Sequence, residues 1–341
     1  MATGYASGQG LVTDVMTSYY AHLTLTGPSM VVVEGALVAQ GGQGWPHQLS
    51  VYSHEHLEGL TRLAETIRDR GGIPFIQLHH GGRRSLGCRQ EPLVGPSDIA
   101  CPGLNRPVRP LTTDEIRLLI VRFADAARLA VRAGFAGVEL HGAHGYLIHQ
   151  FVTPLVNNRD DEYGIHEGKS NRFPLELVRS IRLAEPNLLL GYRISARDYL
   201  PQGLTLNETA PFVQDLETAG VDLISVSGGM HASLYGPDSI WGSKASDAVF
   251  RSDARRLKDG LQKTPVGIAG KIQTPSLAIS ILENRDADMI GLGRPLLRDP
   301  DWLRKAQGDT PTAIRPCLYC VRCQYHRKGC PDDTSKPTWL T

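Results

Sequence analysis

Three side chains able to hold or move a proton, His141, His144 and Tyr146, fall in one run, Gly137-Val-Glu-Leu-His-Gly-Ala-His-Gly-Tyr146. The run begins apolar and breaks into glycines, so it reads as a strand end opening into a loop. Two imidazoles three positions apart can aim N–H donors at one oxygen and polarise a carbonyl or nitro group. A nearby phenol can then act as general acid. Spacing alone leaves two other readings open: loop histidines satisfied by backbone, or ligands of a metal that would need a further partner.

A second chemical cluster closes the chain. Cys317, Cys320, Cys323 and Cys330 stand in the pattern C-x2-C-x2-C-x6-C. Four thiolates so spaced suit a 4Fe–4S cluster, and zinc is the alternative, with His326 able to substitute as a ligand. The other two cysteines, Cys88 and Cys101, lie in an apparent loop. In a reducing compartment a tight cluster reads as a metal site before it reads as disulfides.

These residues need a scaffold, and the hydrophobic pattern supplies one. Near-continuous apolar runs at Met30–Gly35, Ile73–Leu78, Gly137–Leu140, Leu188–Ser195, Leu223–Gly228, Pro265–Gly270 and Met289–Arg294 predict parallel strands buried on both faces. Between them, helical periods predict helices over Thr13–Thr26, His54–Arg70, Thr112–Ala133, Phe173–Ala184, Asn207–Ala219, Ser246–Leu261, Pro275–Glu283 and Asp301–Gln307. Thr112 with Glu115 forms a capping-box pattern, and Thr274 precedes a proline at a first helical position. Strict alternation implies an α/β fold, a (β/α)8 TIM barrel. It begins with a helix, so the first strand is missing and is expected to lie before Met1, with an internal methionine taken as the start. Residues 1–307 are read as the barrel and 308–341 as a Cys-rich tail carrying the metal site. The stretches His79–Leu111, His141–Arg172 and Gly229–Ala245 follow strand ends, where barrels carry active-site loops.

Composition narrows the rest. The 341 residues are 41% hydrophobic and 21% charged, enough for a large core. With 36 basic and 35 acidic residues, charge gives no reason to expect nucleic acid or an anionic membrane as partner. The N-terminus MATGYASGQG has no signal-peptide character, and no apolar run approaches a membrane span, so a cytoplasmic protein is expected.

The loop HGAHGYLIHQFVTPLVNNRDDEYG resembles the active-site signature of the Old Yellow Enzyme family, and SNRF at Ser170–Phe173 is similar to a following family segment. The similarity runs from Met1 to about Asp301. The resemblance implies an FMN-dependent ene-reductase. In it His141 and His144 bind the substrate oxygen, Tyr146 protonates the substrate, and NAD(P)H reduces the flavin. It also implies that Gly35 lies beside the flavin, Gln77 bonds its pyrimidine, and Arg193 stands near its N1–C2 edge. Ala2 would take the position beside the N4–C4 edge where relatives carry Thr or Cys. Gly270 and Gly293 with Arg294 end the last two strands, where barrels bind phosphate, and Lys271 would add charge. RPC-x-x-C after the barrel is similar to the 4Fe–4S site of 2,4-dienoyl-CoA reductase and trimethylamine dehydrogenase. The expected partner is a small molecule, an α,β-unsaturated carbonyl or similar, with a redox partner subunit as a further expectation. Two competing functions are an amine dehydrogenase passing electrons out through the cluster, and a flavin-free structural or electron-transfer subunit. His231, after the sixth strand, would face substrate or satisfy its own loop.

Overall fold

Eight residues, Met30–Leu37, the last five of them buried in succession, form the first strand, β1. The chain then alternates as the apolar pattern predicts. The computed structural model describes residues 2–87, 92–165, 171–230, 233, 239–240, 242, 245–320, 323 and 330. Cys88, Ser170, His231 and His326 lie outside them.

One parallel sheet joins β1 to β2 (Ile73–His79), β5 (Gly137–Gly142), β6 (Leu189–Ser195), β7 (Leu223–Ser227), β8 (Val266–Ile268) and β9 (Met289–Ile290), in that spatial order. The expected alternating barrel architecture is therefore present as a seven-stranded curled sheet. Among the described residues the outer strands β1 and β9 pair with β2 and β8 respectively and not with each other. Thr3 stands beside the middle of β1, where its N–H donates to Glu34 Oε2 at 2.9 Å.

Tyr192 fixes which way the strands face. It is fully buried and meets Phe212 of α6 (Leu206–Ala219) edge-on at 5.8 Å, so it points outward to the helices. Side chains alternate along a strand, so Arg193 points inward. The parallel register then sets His141 beside Arg193 and Arg193 beside Ser225, with Gln77 beside Glu139 one layer deeper. Glycines in the catalytic run serve close packing: a Cβ at Gly142 would stand 2.2 Å from the Tyr192 ring.

Helix ends obey local chemistry. Helix α3 (Thr113–Arg132) carries the predicted box, with Thr112 Oγ1 accepting from Glu115 N and Glu115 answering to the Thr112 N–H. Helix α8 (Pro275–Glu283) starts behind Thr274 as expected. Helices α1 (Asp14–Leu25), α2 (Leu57–Arg68), α5 (Arg172–Ala184) and α10 (Trp302–Ala306) also match within a turn.

Four elements depart from expectation. Helix α7 spans only Arg251–Lys258, because Ala248 adopts a left-handed φ of 48° and residues 247–250 turn instead. The loop after β2 holds a small parallel pair, β3 (Leu93–Gly95) with β4 (Val108–Pro110). The catalytic loop contains a short helix, α4 (Leu147–Val152), buried along its whole length. A further short helix, α9 (Arg294–Arg298), begins where β9 was expected to end. No described helix is long and apolar enough to cross a membrane.

Candidate active site

The site assembles at the carboxyl ends of β2, β5, β6 and β7. His141 and His144 sit with ring centroids 5.1 Å apart, and His141 lies 5.0 Å from Tyr146. The predicted trio is therefore one cluster. Burial pushes the pKa of both imidazoles well below the ordinary value, reinforced for His141 by His144, His79 and Arg193, and for His144 by Arg193. Both rings are neutral at physiological pH, so each carries one donor nitrogen and one acceptor.

Two serines hold the loop. Ser195 Oγ, at the end of β6, accepts the His144 N–H at 3.0 Å, and Ser227 Oγ, at the end of β7, meets His144 Nε2 at 2.8 Å. His144 adopts a left-handed φ of 62°, a conformation that non-glycine residues keep only when the surroundings over-determine it. Of the two nitrogens His144 could aim at a substrate oxygen, Nε2 already meets Ser227.

A third histidine completes the cluster. His79 is fully buried, packs edge-on to Tyr146 at 4.3 Å and lies 5.5 Å from His141. Its tautomer follows from its neighbours. Gln48 Oε1 accepts from Gly44 N at 2.8 Å, so its amide nitrogen must face the other way. That nitrogen donates to the Gly35 carbonyl at 2.8 Å and to His79 Nδ1 at 2.9 Å. His79 therefore carries its proton on Nε2, a buried donor without a hydrogen-bond partner. Arg84 stands 5.0 Å over the Tyr146 ring and donates to the His144 carbonyl at 3.2 Å.

Beneath these rings lies the expected flavin floor. Gln77 Nε2 donates to Glu139 Oε1 at 2.6 Å, and Arg193 donates to Ser225 Oγ at 3.2 Å. Burial pulls the Arg193 pKa down while Glu139 opposes it. Gly35 faces the same interior: a Cβ there would approach Gln77, Trp45 and His79 at 3.1 to 3.2 Å. This lining offers an amide, a guanidinium and a glycine cradle, and Trp45 Nε1, His79 Nε2 and His141 Nδ1 are buried without partners. A polar, planar ring system such as the flavin isoalloxazine fits that donor set. Ala2 is exposed beside the Thr3–Glu34 contact.

The expected phosphate residues collect at the ends of β8 and β9, neighbours in the sheet. Gly270 packs against Phe250, Gly293 is exposed, and Lys271 donates to the Ala245 carbonyl. Both cations also face the tail. The buried Tyr319 ring lies 4.5 Å from the Arg294 guanidinium and 5.3 Å from Lys271 Nζ. The described part of the tail thus lies against these two cations, and Asp299 holds it through the Arg315 N–H at 2.8 Å.

The four cysteines expected as ligands all fall among the described residues. Cys317, Cys320, Cys323 and Cys330 are free and lie near enough to feel one another's charge. Yet among the described residues no group of three or more His, Cys, Asp or Glu side chains is gathered closely enough to hold a metal. Burial pushes the Cys317 thiol up and the Cys323 thiol up to about 11, against the pull of Arg294.

Known proteins share this arrangement. Residues 1–313 match the NADH:flavin oxidoreductase / NADH oxidase family. The chain belongs to that family. It is 35% identical over 94% of its length to an NADH oxidase of Thermoanaerobacter brockii, of which it covers 49%. It is also 35% identical to an NADPH dehydrogenase of a Geobacillus species, covering 84% of this chain and 81% of that protein. The solved old yellow enzyme homologue from Zymomonas mobilis superposes with a TM-score of 0.76 at 25% identity, covering 91% of this chain and 87% of that one. The chain accordingly shares the barrel of the old yellow enzyme type. It spans about half the length of the Thermoanaerobacter relative.

Sequence reasoning missed His79, Gln48, Arg84, Ser195 and Ser227. The His-His-Gly-Gly-Arg-Arg84 run, directly behind a strand, was the one local signal available.

Proposed function

We propose that the enzyme reduces the C=C bond of an α,β-unsaturated carbonyl compound at the expense of NAD(P)H. The carrying observation is the neutral His141–His144–Tyr146 cluster, standing directly above the inward row of Gln77, Glu139, Arg193 and Ser225. Gly35, Gln77 and Arg193 would hold the FMN ring, with Ala2 at its edge, and Gly270, Lys271, Gly293 and Arg294 would hold its phosphate. Bound FMN supplies hydride transfer from NAD(P)H to the β-carbon of the alkene.

The protein residues do the rest. His141 and His144 donate to the carbonyl oxygen, drawing electron density from the alkene and stabilising the charge that builds there. Ser227 accounts for His144 Nε2, which leaves Nδ1 as the nitrogen turned to other partners. Tyr146 gives its phenolic proton to the α-carbon, and the Arg84 guanidinium over its ring favours the phenolate left behind. NAD(P)H is oxidised, and the alkene gains one hydride and one proton.

Replacing Tyr146 by Phe tests the assignment. Reoxidation of the reduced holoenzyme by an enone should slow by roughly 100-fold or more, with flavin reduction by NAD(P)H within about twofold of wild type. Equal losses in both half-reactions would remove Tyr146 from its role.

A further inference from the structure

Behind the catalytic loop lies a buried pair that no step above uses. His149 on α4 and Asp198 after β6 are both fully buried, with His149 Nε2 lying 3.0 Å from Asp198 Oδ1. The approach is bent rather than in line, so the contact is electrostatic first and a hydrogen bond second. On the other side of the ring, Nδ1 accepts the Gly145 N–H at 2.9 Å. An imidazole nitrogen that accepts carries no proton, so His149 is the Nε2–H tautomer, with its protonated nitrogen 3.0 Å from Asp198 Oδ1.

Asp198 is itself held firmly. Its Oδ2 accepts from Thr153 Oγ1 at 2.5 Å and from Leu204 N at 2.8 Å. Burial alone would raise its pKa, yet His149 and these hydrogen bonds keep it below the ordinary value. It is therefore a carboxylate at neutral pH.

Gly145 is the residue between His144 and Tyr146. It has a φ of 76°, following His144 at 62°, so the loop makes two left-handed steps in succession. Such a backbone persists only where its groups are held, and a buried N–H without an acceptor would favour another path. The acceptor here is the lone pair of His149.

We propose that His149 and Asp198 are positioning residues for proton delivery. Asp198 fixes the tautomer of His149, and His149 Nδ1 fixes Gly145 and with it the direction of Tyr146. This rests on the reading of Tyr146 as proton donor.

Two substitutions separate the halves of the ring. His149→Asn places its Oδ1 where imidazole has Nδ1, keeping the acceptor for Gly145. His149→Gln places its Nε2 where imidazole has Nε2, keeping the donor for Asp198 and losing the acceptor. In FMN-loaded protein, His149→Gln should slow reoxidation by a simple cyclic enone about tenfold, with flavin reduction within about twofold. His149→Asn should stay within about threefold of wild type in both, and hydrogen exchange should find the Gly145 amide protected in Asn and unprotected in Gln. Asn as impaired as Gln, or equal losses in both half-reactions, would overturn the proposal in favour of a purely structural pair. Tyr146→Phe is measured alongside. If it slows reoxidation while His149→Gln does not, the positioning role alone fails. If Tyr146→Phe changes nothing, the donor assignment falls and the positioning role falls with it.

Discussion

The two sides of the sheet solve different problems. On one side, β2, β5, β6 and β7 run five to seven residues each and end in side chains that hold one another. His79, His144, Ser195, Ser227 and Gln48 all have partners within the protein, at 2.8 to 3.0 Å. On the other side, β8 and β9 are three and two residues long, and the cations beyond them rest against Tyr319 from the tail. Long buried strands fix side chains before any ligand arrives, which is what transition-state stabilisation requires. Short strands fix less, and here the cations beyond them rest against the tail instead.

The largest effect expected on the catalytic side is acid sensitivity. Burial lowers the pKa of His80 to about 4 and of His79, His141 and His144 well below their ordinary value. The unfolded chain takes up these protons first, near pH 6.5, so stability is lost as pH falls from there towards 4. His80 alone contributes on the order of 3 kcal/mol to this loss. His80→Asn, which can still accept from Gly82 N, should flatten the loss of urea midpoint between pH 7 and 4.5. An acid limb that keeps its slope would break the contrast.

Ser227→Ala comes next. Losing the partner of His144 Nε2 should cost about 1.4 kcal/mol, a tenfold fall in kcat/KM for an enone. A change below twofold would mean that the catalytic side is less pre-set than its hydrogen bonds imply. Thr112→Ala lies in neither region and serves as control. It should remove about 1 kcal/mol of stability by loss of the cap, seen as a lower denaturation midpoint, without changing either half-reaction.

The smallest effect belongs to the tail side. The Arg294 guanidinium lowers the thiol pKa of Cys317 and Cys323 against the opposing push of burial. Arg294→Gln should therefore raise both and slow their alkylation at pH 8.5 by about twofold. Faster alkylation would show that the guanidinium acts by covering the tail rather than by its charge.

Much of the scaffold was legible because its signals are local. Thr112 with Glu115 and Thr274 with Pro275 mark helix starts within four residues, and apolar runs mark buried strands without reference to partners. The trio His141, His144 and Tyr146 was legible for the same reason. What escaped depends on distance along the chain. Ser227 meets His144 across 83 positions and Gln48 meets His79 across 31, and neither has a period or motif of its own. Helix α4 was hidden because six buried residues in a row have no polar face to set a helical period. The cysteine spacing was equally plain, but spacing says only which thiols can meet, and among the described residues no such group is gathered.

Gln48 carries a last consequence. Every hydrogen bond from the Gly44 amide through its side chain to His79 points the same way, so the proton on the inner nitrogen of His79 is written into the backbone of a neighbouring loop. The site therefore has a direction, like a wire with its arrow already drawn. One oxygen in place of the Gln48 amide nitrogen would reverse it, turning a buried donor into an acceptor without moving an atom of the histidine.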